Sequence, residues 1–342
     1  MGLCYARAVG PKVFVGENTA HHYQEMRSLE SKPSKLPELA PISLVAEIKE
    51  YSKYAAFAYC DYSVATQPSQ GALVTAIKSP KTKTHVHVYY KNHTKEIVVS
   101  FRGADTLGKF FKAYSSAKEE LINVPGARVN KNVLAYASSI RDPLILEVSK
   151  LIKHRCQHHI VLVGHSLGGS LATLMGPILS KKFNIDPPRM RIITYNQPRV
   201  GNEAFVNYYN KLSFNFTRVV NKDDPAPNHP APWNGWVHVQ REVYISPQNT
   251  YHLCSNRTNE DPSCSFKKSS LTAITKNHNS IANMDIFNGF SSYCKPSLSP
   301  TYEPNINHPQ IQNALSKRKS LYQSNQPTHV SDLDRIRHPN VH

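Results

Sequence analysis

Within residues 44–60 the apolar side chains of Val45, Ile48, Tyr51, Ala55 and Tyr59 recur at steps of three and four, the spacing of one helix face. Residues 96–101, Glu-Ile-Val-Val-Ser-Phe, form a short apolar run closed by Arg102 and Gly103, which predicts a buried strand. Helical spacing returns over residues 143–152, through Leu144, Val148, Leu151 and Ile152. The pattern then predicts a strand at 159–163, a helix at 167–179, a strand at 191–195 and a helix at 204–212. Further strands are predicted at 216–220 and 237–245. Strands that alternate with helices argue for an α/β fold whose largely parallel sheet is covered on both faces.

The periodic region has loose flanks. Residues 1–40 are polar and carry Pro33 and Pro37, which predicts a flexible leader or pro-segment. Residues 41–296 predict one catalytic-sized domain. Residues 297–342 are rich in Ser, Pro, Asn and Gln with little periodicity, which predicts a disordered, low-complexity tail. Residues 160–180 run for 21 positions without a formal charge, about the length of a membrane span. They hold Gly164, Gly168, Gly169, Gly176 and Pro177, so a buried strand, a turn and a buried helix explain them better, and no transmembrane segment is expected. The first residues contain no apolar stretch of the length that a secretory signal needs.

The 342-residue composition alters this picture little. It is 40% hydrophobic and 19% charged, as in folded soluble proteins, and 14 Gly and 24 Pro without a period exclude collagen-like and repeat architectures. A net charge of +17 permits association with anionic surfaces. The Lys and Arg residues are scattered rather than gathered with aromatics, so no nucleic-acid partner is expected. Six cysteines without a C-x-x-C are too few for a disulfide-built scaffold. The cluster at 154–159, with three His and Cys156, lacks the two separated pairs of a structural zinc site, so no metal and no cofactor are expected.

The chemistry begins at Gly164-His165-Ser166-Leu167-Gly168, a G-x-S-x-G string between a predicted strand and a predicted helix. That context suits a nucleophile elbow, in which a serine sits on a tight turn and the helix N-terminus favours negative charge developing beside it. A serine hydroxyl is a weak nucleophile and needs a base and a group that orients the base. In elbow enzymes the acid and then the histidine follow the serine along the chain. The acids Asp186, Asp223, Asp224, Asp261 and Asp285 qualify, and Asp224 stands right after a predicted strand. For the base, His229, His238, His252 and His278 remain open, with His278 the last before the tail. The backbone N–H of Leu167, next to the serine, would be one donor to an oxyanion.

Four segments taken together resemble the fungal lipase class 3 family of Rhizomucor/Rhizopus-type triacylglycerol lipases and related feruloyl esterases. They are Phe101-Arg-Gly103, the string from Gly164 to Gly169, Asn196-Gln-Pro-Arg-Val-Gly-Asn202 and Val219-Val-Asn-Lys-Asp-Asp-Pro225. The resemblance runs through residues 44–296 and implies an α/β-hydrolase-type fold with a mostly parallel central sheet and a short helical lid. It implies a triad of Ser166, Asp224 and His278, with oxyanion donors at Leu167 and Ala104. It places the lid just after Ala104, where Leu107, Phe110, Phe111 and Tyr114 recur at helical steps with Lys109 and Lys112 between them. The residues alone fit an ordinary inward-packing helix equally well. The resemblance also implies bridges from Cys60 to Cys294 and from Cys254 to Cys264, and through them an extracellular location.

Three positions depart from the family pattern. Ala104 stands where many relatives carry a hydroxyl, Asn277-His-Asn-Ser-Ile281 replaces D-H-L-S-Y, and Val129-Asn-Lys-Asn-Val133 replaces V-H-x-G-F. The implied activity is a serine carboxylic-ester hydrolase acting as a monomer on lipid esters at an oil–water or membrane interface. Its alternatives are a short-chain or feruloyl-type esterase and a catalytically poor protein that binds lipid surfaces.

Overall fold

The computed structural model describes residues 37–60, 71–104, 106–114, 117–121, 123–153, 158–256, 260–266, 277–281 and 284–285. All belong to the first of two compact units into which the chain divides, the one ending at Pro296. Cys294 and the metal-ligand candidates at 154–157 lie outside the described residues, as does Asp105 at the head of the predicted lid.

The central sheet has eight strands. They are β1 (Ala72–Lys78), β2 (His85–Lys91), β3 (Glu96–Phe101), β6 (His159–His165), β7 (Met190–Tyr195), β8 (Asn215–Asn221), β9 (Glu242–Ile245) and β10 (Tyr251–Leu253), in that spatial order. From β3 to β9 neighbours are parallel, while β1, β2 and β10 pair antiparallel at the margins. A separate hairpin joins β4 (Lys118–Glu120) to β5 (Arg128–Asn130).

The two faces of the sheet explain the unbroken apolar runs of its central strands. Ile97, Val99, Phe101, Ile160, Leu162, Met190 and Ile192 point to one core, and Val98, Val161, Val163, Ile193 and Tyr195 to the other. A strand buried on both sides has no polar face to alternate with. Helix α1 (Ile42–Phe57) covers the second core with Ile48, Tyr51, Tyr54 and Ala55. Helices α3 (Lys131–Ile152), α4 (Leu167–Phe183) and α5 (Glu203–Lys211) cover the first. No helix among the described residues is long and apolar enough to cross a membrane.

The structure corrects two expectations and adds two strands. The helix expected at 143–152 begins at Lys131, and Pro143 lies inside it. Its N-terminus is fixed by Asn130, whose side chain accepts the Val133 N–H at 3.0 Å and satisfies a donor that the helix start leaves open. The departure at 129–133 therefore supplies a helix cap. The strand expected at 237–245 begins only at Glu242, because Arg241 adopts φ 69°, a left-handed turn that interrupts extended chain. Val237 pairs separately with Gly201. Strands β1 and β2 escape the hydropathy pattern because β2 buries polar residues. His87 meets Tyr89 at 3.1 Å, and Lys91 lies between Glu50 and Glu96, 2.9 Å from the latter.

Candidate active site

Ser166 links β6 to α4 with φ 56° and ψ −126°. An L-residue seldom adopts a positive φ, and this one is held by its N–H to the Tyr195 carbonyl at 2.8 Å and by its carbonyl to Gly169 N–H at 3.0 Å. The turn closes only around glycine. A Cβ on Gly164 would stand 2.2 Å from the Gly168 backbone, and one on Gly168 would stand 2.1 Å from the Phe101 carbonyl oxygen.

Two distant segments meet this serine. His278 Nε2 accepts the Ser166 hydroxyl at 2.9 Å, and His278 Nδ1 donates to Asp224 Oδ2 at 2.8 Å. The other oxygen of Asp224 accepts the Ala226 N–H at 2.9 Å, which fixes the carboxylate beyond the end of β8. All three residues are buried, His278 at 7% exposure and the other two at 1%. The remaining histidines have other partners. His238 Nε2 donates to the Pro227 carbonyl, His252 bonds Thr250 and Pro37, and the carbonyl of His229 accepts the Arg199 N–H. Burial, followed by Arg199, keeps His229 below its ordinary pKa. Among the acids, Asp261 accepts Ser255 and Ser263 N–H groups, and Asp223 takes the side-chain amide of Asn277. The last contact gives the departure at 277 a local role. The side chain of Asp285 lies outside the described residues.

Sequence reasoning missed what holds the histidine. Asn196 Nδ2 donates to the carbonyls of Asn277 and His278, both at 3.2 Å, and Asn221 Nδ2 donates to those of Asn277 and Ser280 at 2.9 and 3.1 Å. His165 Nε2 lies 2.8 Å from the His278 carbonyl. A carbonyl only accepts, so Nε2 carries the proton, and neutral Nδ1 accepts the Tyr59 hydroxyl at 2.7 Å. Burial, reinforced by neighbouring His278, keeps His165 well below its ordinary pKa and therefore neutral. Asn196 and Asn221 lie at or beyond strand ends, the one place where their sequence positions gave a hint.

Helix α2 (Leu107–Tyr114) lies over the triad. The Phe110 ring stands edge-on 5.9 Å from the ring of His278 and 6.5 Å from that of His229, and it is 3% exposed. Tyr114, centred 5.1 Å from Phe110, shares a 2.7 Å hydrogen bond with Ser170. The side chains of Leu107 and Phe111 are outside the described set. Ala104 and Leu167 line one cavity of about 180 Å³ beside the serine. Cys254 and Cys264 are bonded, with Cα atoms 6.1 Å apart. Cys60 is disulfide-bonded as well.

Residues 98–233 match the family model described as "Lipase (class 3)". The lipase of Rhizomucor miehei is 26% identical over 176 residues, 51% of this chain and 48% of that protein. A secreted mono- and diacylglycerol lipase of Penicillium cyclopium is 29% identical over 60% of this chain and 67% of its own. The match spans about half the length of the first curated relatives. Among solved structures, the Rhizomucor miehei lipase–propeptide complex superposes with a TM-score of 0.68 at 21% identity, over 75% of this chain and 86% of that one. Lipase II of Rhizopus niveus gives 0.68 at 25%, over 73% and 98%. The fold is thus of the α/β-hydrolase type, and residues 98–233 are similar to the class 3 lipase family.

Proposed function

We propose that this protein hydrolyses the carboxylic esters of lipids, in the manner of a triacylglycerol lipase. The observation that carries the reading is the buried relay from Ser166 through His278 to Asp224, at 2.9 and 2.8 Å. His278 Nε2 takes the hydroxyl proton as Ser166 Oγ forms a bond to the ester carbonyl carbon. The carbonyl oxygen becomes an oxyanion facing the N–H groups of Leu167 and Ala104, and Asp224 steadies the imidazolium. The C–O bond to the alcohol then breaks, and the alcohol leaves with the proton from His278. Water, deprotonated by the same nitrogen, releases the acid and restores the serine.

Ala104 offers a backbone N–H and no side-chain hydroxyl, which lowers the attainable rate without removing the site. Where a donor is missing altogether the loss is about 3 kcal/mol. Phe110 and Tyr114 support the lid role of α2, with Leu107 and Phe111 as its remaining apolar positions. The matched relatives described as secreted support an extracellular location, and with it the pairing of Cys60 to Cys294. The catalytic unit is a monomer spanning residues 41–296.

Hydrolysis of an emulsified long-chain triacylglycerol and of a soluble short-chain ester, for wild type beside Ser166→Ala, tests this reading. Activity that rises at the emulsion surface and disappears in the variant is expected. Activity on the soluble ester alone would establish an esterase instead. Equal inertness of both proteins would overturn the hydrolase and leave a lipid-surface-binding protein.

A further inference from the structure

The acid of the triad is held through a chain of contacts that ends on a second carboxylate. Residues 195–199, where β7 ends, touch the carriers of all three triad members. The Tyr195 carbonyl accepts the Ser166 N–H at 2.8 Å, and Asn196 holds the carbonyls of Asn277 and His278 at 3.2 Å. Arg199 takes the turn that follows Asp224. Its backbone N–H donates to the His229 carbonyl at 2.8 Å, and its Nη1 donates to the carbonyls of Asn228 and Pro230 at 2.6 and 2.9 Å. His238 Nε2 adds the Pro227 carbonyl at 2.7 Å, so consecutive carbonyls from Pro227 to Pro230 are gripped from outside the turn.

The grip reaches the acid in two steps. The His229 N–H donates to the Ala226 carbonyl at 3.0 Å, and the Ala226 N–H donates to Asp224 Oδ1 at 2.9 Å. The opposite oxygen of that carboxylate is the one that meets His278.

Glu260 sets the aim of Arg199. Its Oε1 accepts Arg199 Nε at 2.7 Å and its Oε2 accepts Nη2, the two-point contact that fixes a guanidinium in its plane. With Nε and Nη2 so engaged, Nη1 faces the turn. The His238 N–H reaches the same Oε1 at 3.3 Å, which ties the second clamp to the first. Glu260 itself lies between Cys254 and Cys264, which are bonded, and Asp261 beside it accepts the N–H groups of Ser255 and Ser263 at 2.7 and 2.8 Å. The Ser265 N–H anchors the far side on Glu242 of β9 at 3.1 Å. Both Arg199 and Glu260 are buried. A buried ion pair is often no more stabilising than packed apolar side chains of similar volume. What this pair adds is direction.

We infer that Glu260 is a positioning residue for this site: through Arg199 it holds the turn at 225–230 so that Asp224 Oδ2 stays on His278 Nδ1. The inference rests on the hydrolase reading above, and the pair acts without touching the ester.

The test compares Glu260→Gln with a double variant, Arg199→Met plus Glu260→Leu, which removes the aim without stranding a buried charge. On a soluble short-chain ester each should lower kcat about tenfold, with KM within about twofold of wild type. The double variant should keep a urea midpoint near that of wild type. In wild type the proton between His278 Nδ1 and Asp224 should give a far-downfield magnetic resonance signal, and in both variants that signal should broaden or vanish. Either variant that folds decides. Wild-type kcat, or a signal that persists unchanged, overturns the inference and assigns the pair to stability. Failure of both variants to fold does the same, and a wild type without the signal lacks the bond that the pair is said to hold. If wild type cleaves no ester, the hydrolase reading fails and the signal decides alone: its loss in the variants supports the positioning, and its persistence overturns it.

Discussion

The serine and the histidine of the triad are held in opposite ways. Ser166 is fixed by a contiguous stretch of chain, β6 running into α4, and its turn closes because Gly164 and Gly168 leave room for backbone to touch backbone. His278 sits on a short segment whose carbonyls are gripped by side chains from elsewhere, Asn196, Asn221 and His165. The first arrangement is local and steric, the second distributed and polar. A steric device tolerates no added atom, whereas a polar clamp loses strength one bond at a time.

Several substitutions would sharpen or break that contrast. Ser166→Ala should lower kcat on a soluble ester by about 10⁵-fold or more, with a urea midpoint close to wild type. A normal rate would end the comparison by removing the serine from the chemistry. Gly168→Val pushes a branched side chain into the Phe101 carbonyl and should destabilise the fold by about 3 kcal/mol or more, read as a lost or lowered unfolding transition. Asn221→Ala should leave the fold largely intact and lower kcat about 30-fold, since about 2 kcal/mol of hydrogen bonding to the histidine segment disappears. Equal damage to stability and rate would show the clamp to be steric after all.

Acid should loosen the polar side as well. His165 and His238 are held well below their ordinary pKa by burial, so below about pH 6.5 the unfolded chain binds protons that the folded chain refuses. Their contribution to stability is complete above that pH and falls as pH drops towards the folded values, by up to about 1.4 kcal/mol per pH unit for each histidine. Urea midpoints at pH 7.5 and pH 5.5 check the sign. The smallest effect belongs to Tyr59→Phe, which removes the donor to His165 and should cost a few-fold in kcat.

The same contrast governs what the sequence disclosed. Strand, turn and helix around Ser166 follow one another along the chain, so hydropathy and glycine spacing were enough to find them. His278 was one of four open histidines. Nothing local records that Asn196 and Asn221, 81 and 56 residues away, will hold the backbone on either side of it. Asp224 fell between these cases, legible as a carboxylate beyond a strand end. Strands β1 and β2 were lost because a buried Lys91, paired with Glu50 and Glu96, looks like surface in a one-dimensional pattern.

Phe110 carries a thermodynamic consequence. Returning such a ring to water costs about 2 kcal/mol, which holds a fully uncovered state to roughly 3% of molecules in plain buffer. An apolar phase that accepts the ring removes most of this cost. If α2 acts as the lid proposed above, turnover would then rise by about thirtyfold through population alone, with every bond of the triad unchanged. On that arithmetic the solvent acts as an effector, and its receptor is a single benzyl group.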